Sequence, residues 1–195
     1  MKILKLSQQK STIIYFEKFL EEKESNDLFQ HLNNLDDWKS LEFFLFGKKC
    51  KQNRETINFS YNKLRYNYSG LSNIGLEINE HIILINLKKK IENLFDNKYS
   101  FNYILGNRYR SGKDNIGMHS DDEKDLKGPI VSISLGCNRF FDIKGKYNKD
   151  KLRLDLNNGS LLIMNGECQK HYKHGIPIQK KINNIRINLT FRIIV

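Results

Sequence analysis

Lys151-Leu-Arg-Leu-Asp-Leu156 and Arg186-Ile-Asn-Leu-Thr-Phe-Arg-Ile193 alternate polar and apolar residues without a break. That is the period-two pattern of a strand with one buried face. Working outward, further short apolar runs fill the same half of the chain: NYILGNRYR (102–110), IVSISLG (130–136), RFFDIKG (139–145) and SLLIMNG (160–166). Clusters of Gly, Asn, Asp and Lys separate them, and no helix-length segment lies between most of them. Successive strands without crossover helices form an antiparallel sandwich or jelly roll. The first hundred residues read differently. Glu24–Leu35 places Leu28, Leu32 and Leu35 on one helical face behind Ser25 as N-cap. Ile83–Phe95 repeats Leu84, Leu87, Ile91, Leu94 and Phe95 at helical spacing, and its Lys88-Lys89-Lys90 run reads as a solvated face. LEFFLF (41–46) suits a strand or hairpin arm. The expected fold is mainly β with flanking helices (α+β), a double-stranded β-helix or jelly roll. Its jelly-roll core would span about 101–195, with N-terminal helices and hairpins over about 1–100, in one domain over 1–195.

Composition narrows the class. A chain of 195 residues can bury roughly 70% of its unfolded surface and needs no disulfide support. With 39% hydrophobic and 11% aromatic residues it is too apolar for a disordered chain. No apolar run approaches the ~20 residues of a membrane-spanning helix. MKILKLSQQK lacks the apolar segment of a secretory signal. The chain therefore reads as intracellular, neither secreted nor membrane-bound, and monomeric, in nucleus or cytoplasm if the source is eukaryotic. Cys50, Cys137 and Cys168 are widely spaced, with no CxxC pair, and read as reduced thiols. A net charge of +11 draws in polyanions, nucleic acid foremost.

The chemistry concentrates on a few residues. His119 and Asp121 sit two apart in the polar segment SGKDNIGMHSDDEKDLKG (111–128). In extended backbone such residues project to one side. His171 and His174, in the turn before the last strand, offer a second imidazole. Two histidines and one carboxylate fill one face of an octahedral metal, the arrangement of non-haem Fe(II) oxygenases. In the last strand Arg186, Asn188, Thr190 and Arg192 share the side opposite Ile187, Leu189 and Phe191. Turned inward, those arginines need an anion, because an unpaired buried charge is costly. A dicarboxylate such as 2-oxoglutarate answers that need through two-pronged Arg contacts. Asn107 and Tyr109 can donate to the same carboxylate.

Taken together, NRYRSGKDNIGMHSDDE, VSISLG, GSLLIMNGECQKHYKHGIP and RINLTFR resemble the AlkB family of Fe(II)/2-oxoglutarate-dependent nucleic-acid dealkylases. The resemblance is to the DNA-repair branch of the eukaryotic AlkB homologues and runs from about Asn102 to Arg192. It implies iron held by His119, Asp121 and His174, with His171 a neighbour. It implies 2-oxoglutarate held by Asn107, Tyr109 and Arg186 at the distal carboxylate, and by Asn188, Thr190 and Arg192 near the metal. Upstream, Phe46-Gly47-Lys48 and Tyr66-Asn67-Tyr68 resemble that branch's nucleotide-recognition hairpins, with Phe46 filling the gap left by a flipped base. Asp122 and Glu123 match acidic residues of the base pocket. Where the branch carries Pro-Arg, this chain has Asn53-Arg54. The implied activity is Fe(II)-, 2-oxoglutarate- and O2-dependent hydroxylation of the methyl group of N1-methyladenine or N3-methylcytosine in DNA, duplex or single-stranded, with formaldehyde released. RNA demethylation and a non-catalytic nucleic-acid-binding module are the alternatives.

Overall fold

The computed structural model describes residues 1–45, 47–68 and 71–195, with the backbone alone at 43–45, 63, 65–68 and 71–73. Strands of the first half are β1 (Lys2–Leu4), β2 (Ser11–Phe16), β3 (Glu42–Leu45), β4 (Lys48–Lys51), β5 (Glu55–Ser60), β6 (Arg65–Tyr68), β7 (Leu71–Ile74) and β8 (Leu76–Glu77). Those of the second half are β9 (Tyr103–Tyr109), β10 (Ile116–His119), β11 (Leu126–Gly136), β12 (Arg139–Gly145), β13 (Lys151–Leu156), β14 (Ser160–Gly166), β15 (Tyr172–Ile176) and β16 (Arg186–Ile194). Helices α1 (Glu22–Asn33) and α2 (Ile82–Asn93) precede them, and a single turn, α3 (Cys168–His171), interrupts the series.

Among the described residues a major sheet runs in the order β1-β2-β14-β11-β16-β9-β5-β8, and a minor sheet in the order β10-β15-β12-β13. All pairings are antiparallel except β5 with β8. The jelly-roll expectation holds. The major sheet recruits β2 and β5 from well upstream of residue 101, so the N-terminal half supplies sheet as well as helix. β3–β4 and β6–β7 are separate two-stranded hairpins.

Alternation along β16 shows how the sequence builds two layers. Ile187, Leu189 and Phe191 face the helices and pack with Leu28, Leu32, Leu84, Leu87 and Ile91 in one core. The space between the sheets holds a second core that includes Ile13, Ile130, Phe141, Ile143, Leu162 and Ile176. The polar side of β16 faces that second space, and Arg186, Asn188, Thr190 and Arg192 are all buried there.

Three local expectations need correction. α1 starts at Glu22 behind Glu21, and Ser25 is not its cap. Ser25 is buried one turn inside, its hydroxyl donating to the Glu22 carbonyl, so the acidic first turn extends the helix toward its N-terminus. Lys88 is not solvated: it pairs with Glu92 at 2.8 Å, both side chains mostly buried. Tyr172–Ile176 is a strand of the minor sheet rather than part of a turn.

Candidate active site

The two sheets bring the metal-type residues together through backbone register. His119 ends β10 and pairs directly with His174 on β15, so their ring centroids lie 4.4 Å apart. Asp121, just beyond β10, puts its carboxylate 3.7 Å from Nε2 of each histidine. One ligand atom from each of the three lies within 4.8 Å of the others. His171 is not part of this group: it ends α3 and pairs with Glu167 at 3.0 Å, as expected of a neighbour.

The donor chemistry suits a divalent metal. Gly117 carbonyl lies 2.9 Å from His119 Nδ1; it accepts that proton and leaves Nε2 with its lone pair. Burial pushes the His174 pKa down to about 4, against the opposing pull of Asp121, so the imidazole is neutral and able to ligate. Phe141 stacks on that ring at 5.3 Å. Burial works against ionising Asp121, but Arg192, His174 and His119 outweigh it and hold the carboxyl below its ordinary value. Arg192 supplies the nearest charge, Nη2 to Oδ1 at 3.1 Å. Two imidazoles and one ionised carboxylate fit Fe(II), as the spacing predicts.

The inner face of β16 continues from there. Arg186 is 1% exposed; its Nη2 donates to Ser134 Oγ at 2.8 Å. Its Nε and Nη1 have no hydrogen-bond partner among the described residues. Burial lowers its pKa while Tyr109 opposes the shift, and the guanidinium sits 5.3 Å from the Tyr109 ring. Such an arginine fits a carboxylate of 2-oxoglutarate. Asn188 is fixed by donating to Ser132 Oγ at 2.7 Å and to the Ile133 carbonyl at 2.9 Å, and Thr190 donates to Asn188 Oδ1 at 3.2 Å. Asn107 and Tyr109, on β9, lie opposite Asn188 and Arg186. All six line one inner pocket together with His119, Asp121 and His174.

The substrate-side expectations fare differently. Asp122 is exposed, and Lys146 Nζ stands 3.6 Å from it. Glu123 is half-buried on the same loop. Gly47 makes the turn between β3 and β4 with φ at +74°, a conformation glycine adopts without strain, and Lys48 beside it is exposed. Phe46 lies outside the described residues. Tyr66, Asn67 and Tyr68 lie in β6, and their side chains lie outside the description.

Several residues escaped the sequence reading. Ser132 and Ser134 steer Asn188 and Arg186, and the alternation in Val131-Ser-Ile-Ser-Leu135 was a signal for them. Gln169 accepts a hydrogen bond from the Asp121 backbone N–H at 3.0 Å and so holds the metal loop. Arg139 is fully buried and donates to the carbonyls of Ser111, Asp114 and Pro177, tying the loop before β10 to the one after β15.

Comparison with known proteins agrees with this geometry. Residues 12–192 match the model of the 2OG-Fe(II) oxygenase superfamily. The DNA oxidative demethylase ALKBH2 of Bos taurus is 35% identical over 87% of this chain and 64% of its own length. Its Homo sapiens counterpart is 34% identical over 87% and 68%. The human alpha-ketoglutarate-dependent dioxygenase alkB homolog 3 is 32% identical over 93% and 66%. The chain thus spans about two thirds of the length of the curated relatives it matches. Two solved structures share the fold. OsALKBH1 superposes with a TM-score of 0.61 at 20% identity, covering 92% of this chain and 97% of that one. A Trichoplax adhaerens prolyl hydroxylase, solved with a hypoxia inducible factor peptide, gives 0.66 at 11% identity, over 93% and 83%. A family match over nearly the whole chain, on a jelly roll whose inner face gathers two histidines, an aspartate and two buried arginines, places this protein in the 2OG-Fe(II) oxygenase superfamily, among the AlkB homologues.

Proposed function

We propose that the chain is an oxidative demethylase of alkylated bases in DNA, acting on N1-methyladenine and N3-methylcytosine and releasing the methyl carbon as formaldehyde. The observation that carries this reading is the His119–Asp121–His174 group sharing one inner pocket with Arg186 and Arg192. Fe(II) held by those three residues would supply, with 2-oxoglutarate and O2, the hydroxylation of an unactivated methyl carbon. Every other contribution comes from the chain. Arg192 keeps the Asp121 carboxylate ionised and oriented. Arg186 offers its unused N–H groups to the distal carboxylate of 2-oxoglutarate, with Ser134 fixing its plane. Leu105, Phe141, Met164 and Ile176 line the pocket and exclude water.

For the base itself, both substrates carry positive charge, which a neighbouring carboxylate favours over the neutral parent. Asp122, exposed with Lys146 Nζ 3.6 Å away, and Glu123, half-buried on the same loop, are the carboxylates that would give this preference. A methyl group on the pairing edge weakens the base pair and lowers the cost of flipping the base out. The names of the ALKBH2 relatives support DNA as the polymer, and the +11 charge supports backbone binding. No helix among the described residues is long and apolar enough to cross a membrane.

The test is formaldehyde release from oligonucleotides carrying either lesion, with iron-loaded protein. We expect turnover that requires both Fe(II) and 2-oxoglutarate and disappears in His119→Ala. Consumption of 2-oxoglutarate without any formaldehyde from methylated DNA or RNA would retain the oxygenase and reject the substrate.

A further inference from the structure

Arg54 is 6% exposed, stands two residues before Thr56 on β5, and has no carboxylate partner among the described residues. Its neighbour in sequence makes the contrast plain. Glu55 faces Arg108 across the β5–β9 ladder and pairs with it at 2.8 Å, on the side where Arg108 also lies over Trp38. Side chains alternate along a strand, so Arg54 and Thr56 turn to the opposite side. Thr56 is the register partner of Asn107, which sets Arg54 diagonally across from Asn107 on the inner face. There Arg54 Nε donates to Asn107 Oδ1 at 2.6 Å.

A guanidinium only donates, so this bond fixes which end of the amide is oxygen. With Oδ1 committed to Arg54, Nδ2 is the end left for the pocket that Asn107 lines, and it makes no hydrogen bond among the described residues. Left to itself, an asparagine presents either end to a ligand; an anion is repelled by the oxygen and bound by the nitrogen. We propose that Arg54 is a positioning residue for the co-substrate: it locks the Asn107 amide with Nδ2 toward the distal carboxylate of 2-oxoglutarate and adds an unneutralised positive charge behind it. This rests on the reading of the pocket as the 2-oxoglutarate site. Arg54 acts mainly through Asn107, so most of its effect disappears when the amide does, and only the weak long-range pull of its charge remains.

Titration calorimetry of 2-oxoglutarate into the Mn(II)-loaded full chain, without oxygen chemistry, tests this through a double-mutant cycle. Arg54→Met, which keeps bulk and removes charge and donor, is expected to weaken 2-oxoglutarate about tenfold, the scale of one charge-assisted hydrogen bond. Asn107→Ala should weaken it by a similar factor. In the Asn107→Ala background, Arg54→Met should add about twofold or less, because sites acting as one unit do not add. Mn(II) affinity should be the same in all four proteins, which a misfolded variant would not show. Arg54→Lys should recover part of the loss, since it restores a charged donor. Unchanged 2-oxoglutarate affinity in Arg54→Met, or two losses that multiply fully, overturns the positioning role while leaving the pocket intact. Absence of 2-oxoglutarate binding in the wild type, with Mn(II) bound, overturns the pocket reading itself and this role with it.

Discussion

Arg186 is buried to 1% exposure, bonded through Nη2 to Ser134, and its Nε and Nη1 nitrogens have no hydrogen-bond partner among the described residues. A protein tolerates such a residue when a ligand completes it. Replacing Arg186 by Met should therefore cost the 2-oxoglutarate affinity about a hundredfold, and Ser134→Ala about threefold to tenfold, both read by calorimetry. Equal affinities in Arg186→Met and wild type would move the co-substrate elsewhere. At this scale the sequence was most informative where the signal is local. His119 and Asp121 stand two apart, Arg186 to Arg192 alternate within one strand, and their roles follow from spacing and charge. Arg54 and Gln169 were invisible because their partners, Asn107 and Asp121, lie far away along the chain and meet them only through sheet register or loop packing.

Elements that alternate cleanly are legible whether or not they carry functional residues, and the strand whose alternation a ligand residue breaks is not. β13 and β16 alternate cleanly and were read as strands, as they are. β15, Tyr-Lys-His-Gly-Ile, breaks the apolar pattern because one of its inward positions holds His174 in place of an aliphatic residue, and it was read as a turn. Between β9 and β10, Asp114 organises the loop by accepting from the Arg110 backbone at 2.9 Å and from its guanidinium at 2.8 and 3.1 Å. Burial pushes the Asp114 pKa up, but the Arg110 bonds and the charge of Arg139 outweigh it, so the net shift is downward from 3.8. A depressed carboxyl contributes stability that is complete above its unfolded value and is lost as pH falls through the folded one. Melting temperature should therefore fall below about pH 4 in the wild type, and Asp114→Asn should flatten that dependence; a parallel pair of curves would contradict it. For the β3–β4 hairpin, the role assigned to Phe46 predicts that Phe46→Ala lowers turnover on duplex DNA while sparing single strands. Equal losses on both would remove the intercalating role.

Across the whole molecule, charge and active site are arranged on one frame. On the outer face of the minor sheet Lys151, Lys144 and Lys173 stand directly opposite one another on β13, β12 and β15. All are exposed, and none has an ion-pair partner among the described residues. Like charges in direct register destabilise a sheet, and a polyanion relieves the repulsion. DNA affinity should therefore fall steeply with salt, and replacing the three lysines by Gln should reduce the slope of log K against log [salt] by about 2–3. An unchanged slope would place the backbone contacts elsewhere. The fold class was readable because the strands of the second half carry their own punctuation. The sheet order was not, because β2 and β5 enter the major sheet from far upstream and no local pattern encodes that pairing. Mass spectrometry of a duplex with one N1-methyladenine reads the proposed chemical event itself. After incubation with iron-loaded protein, 2-oxoglutarate and air, the methyl mass should be lost and adenine recovered, with no change when 2-oxoglutarate is omitted or His119 is replaced by Ala. An oligonucleotide that keeps its methyl group while the same protein consumes 2-oxoglutarate would contradict it.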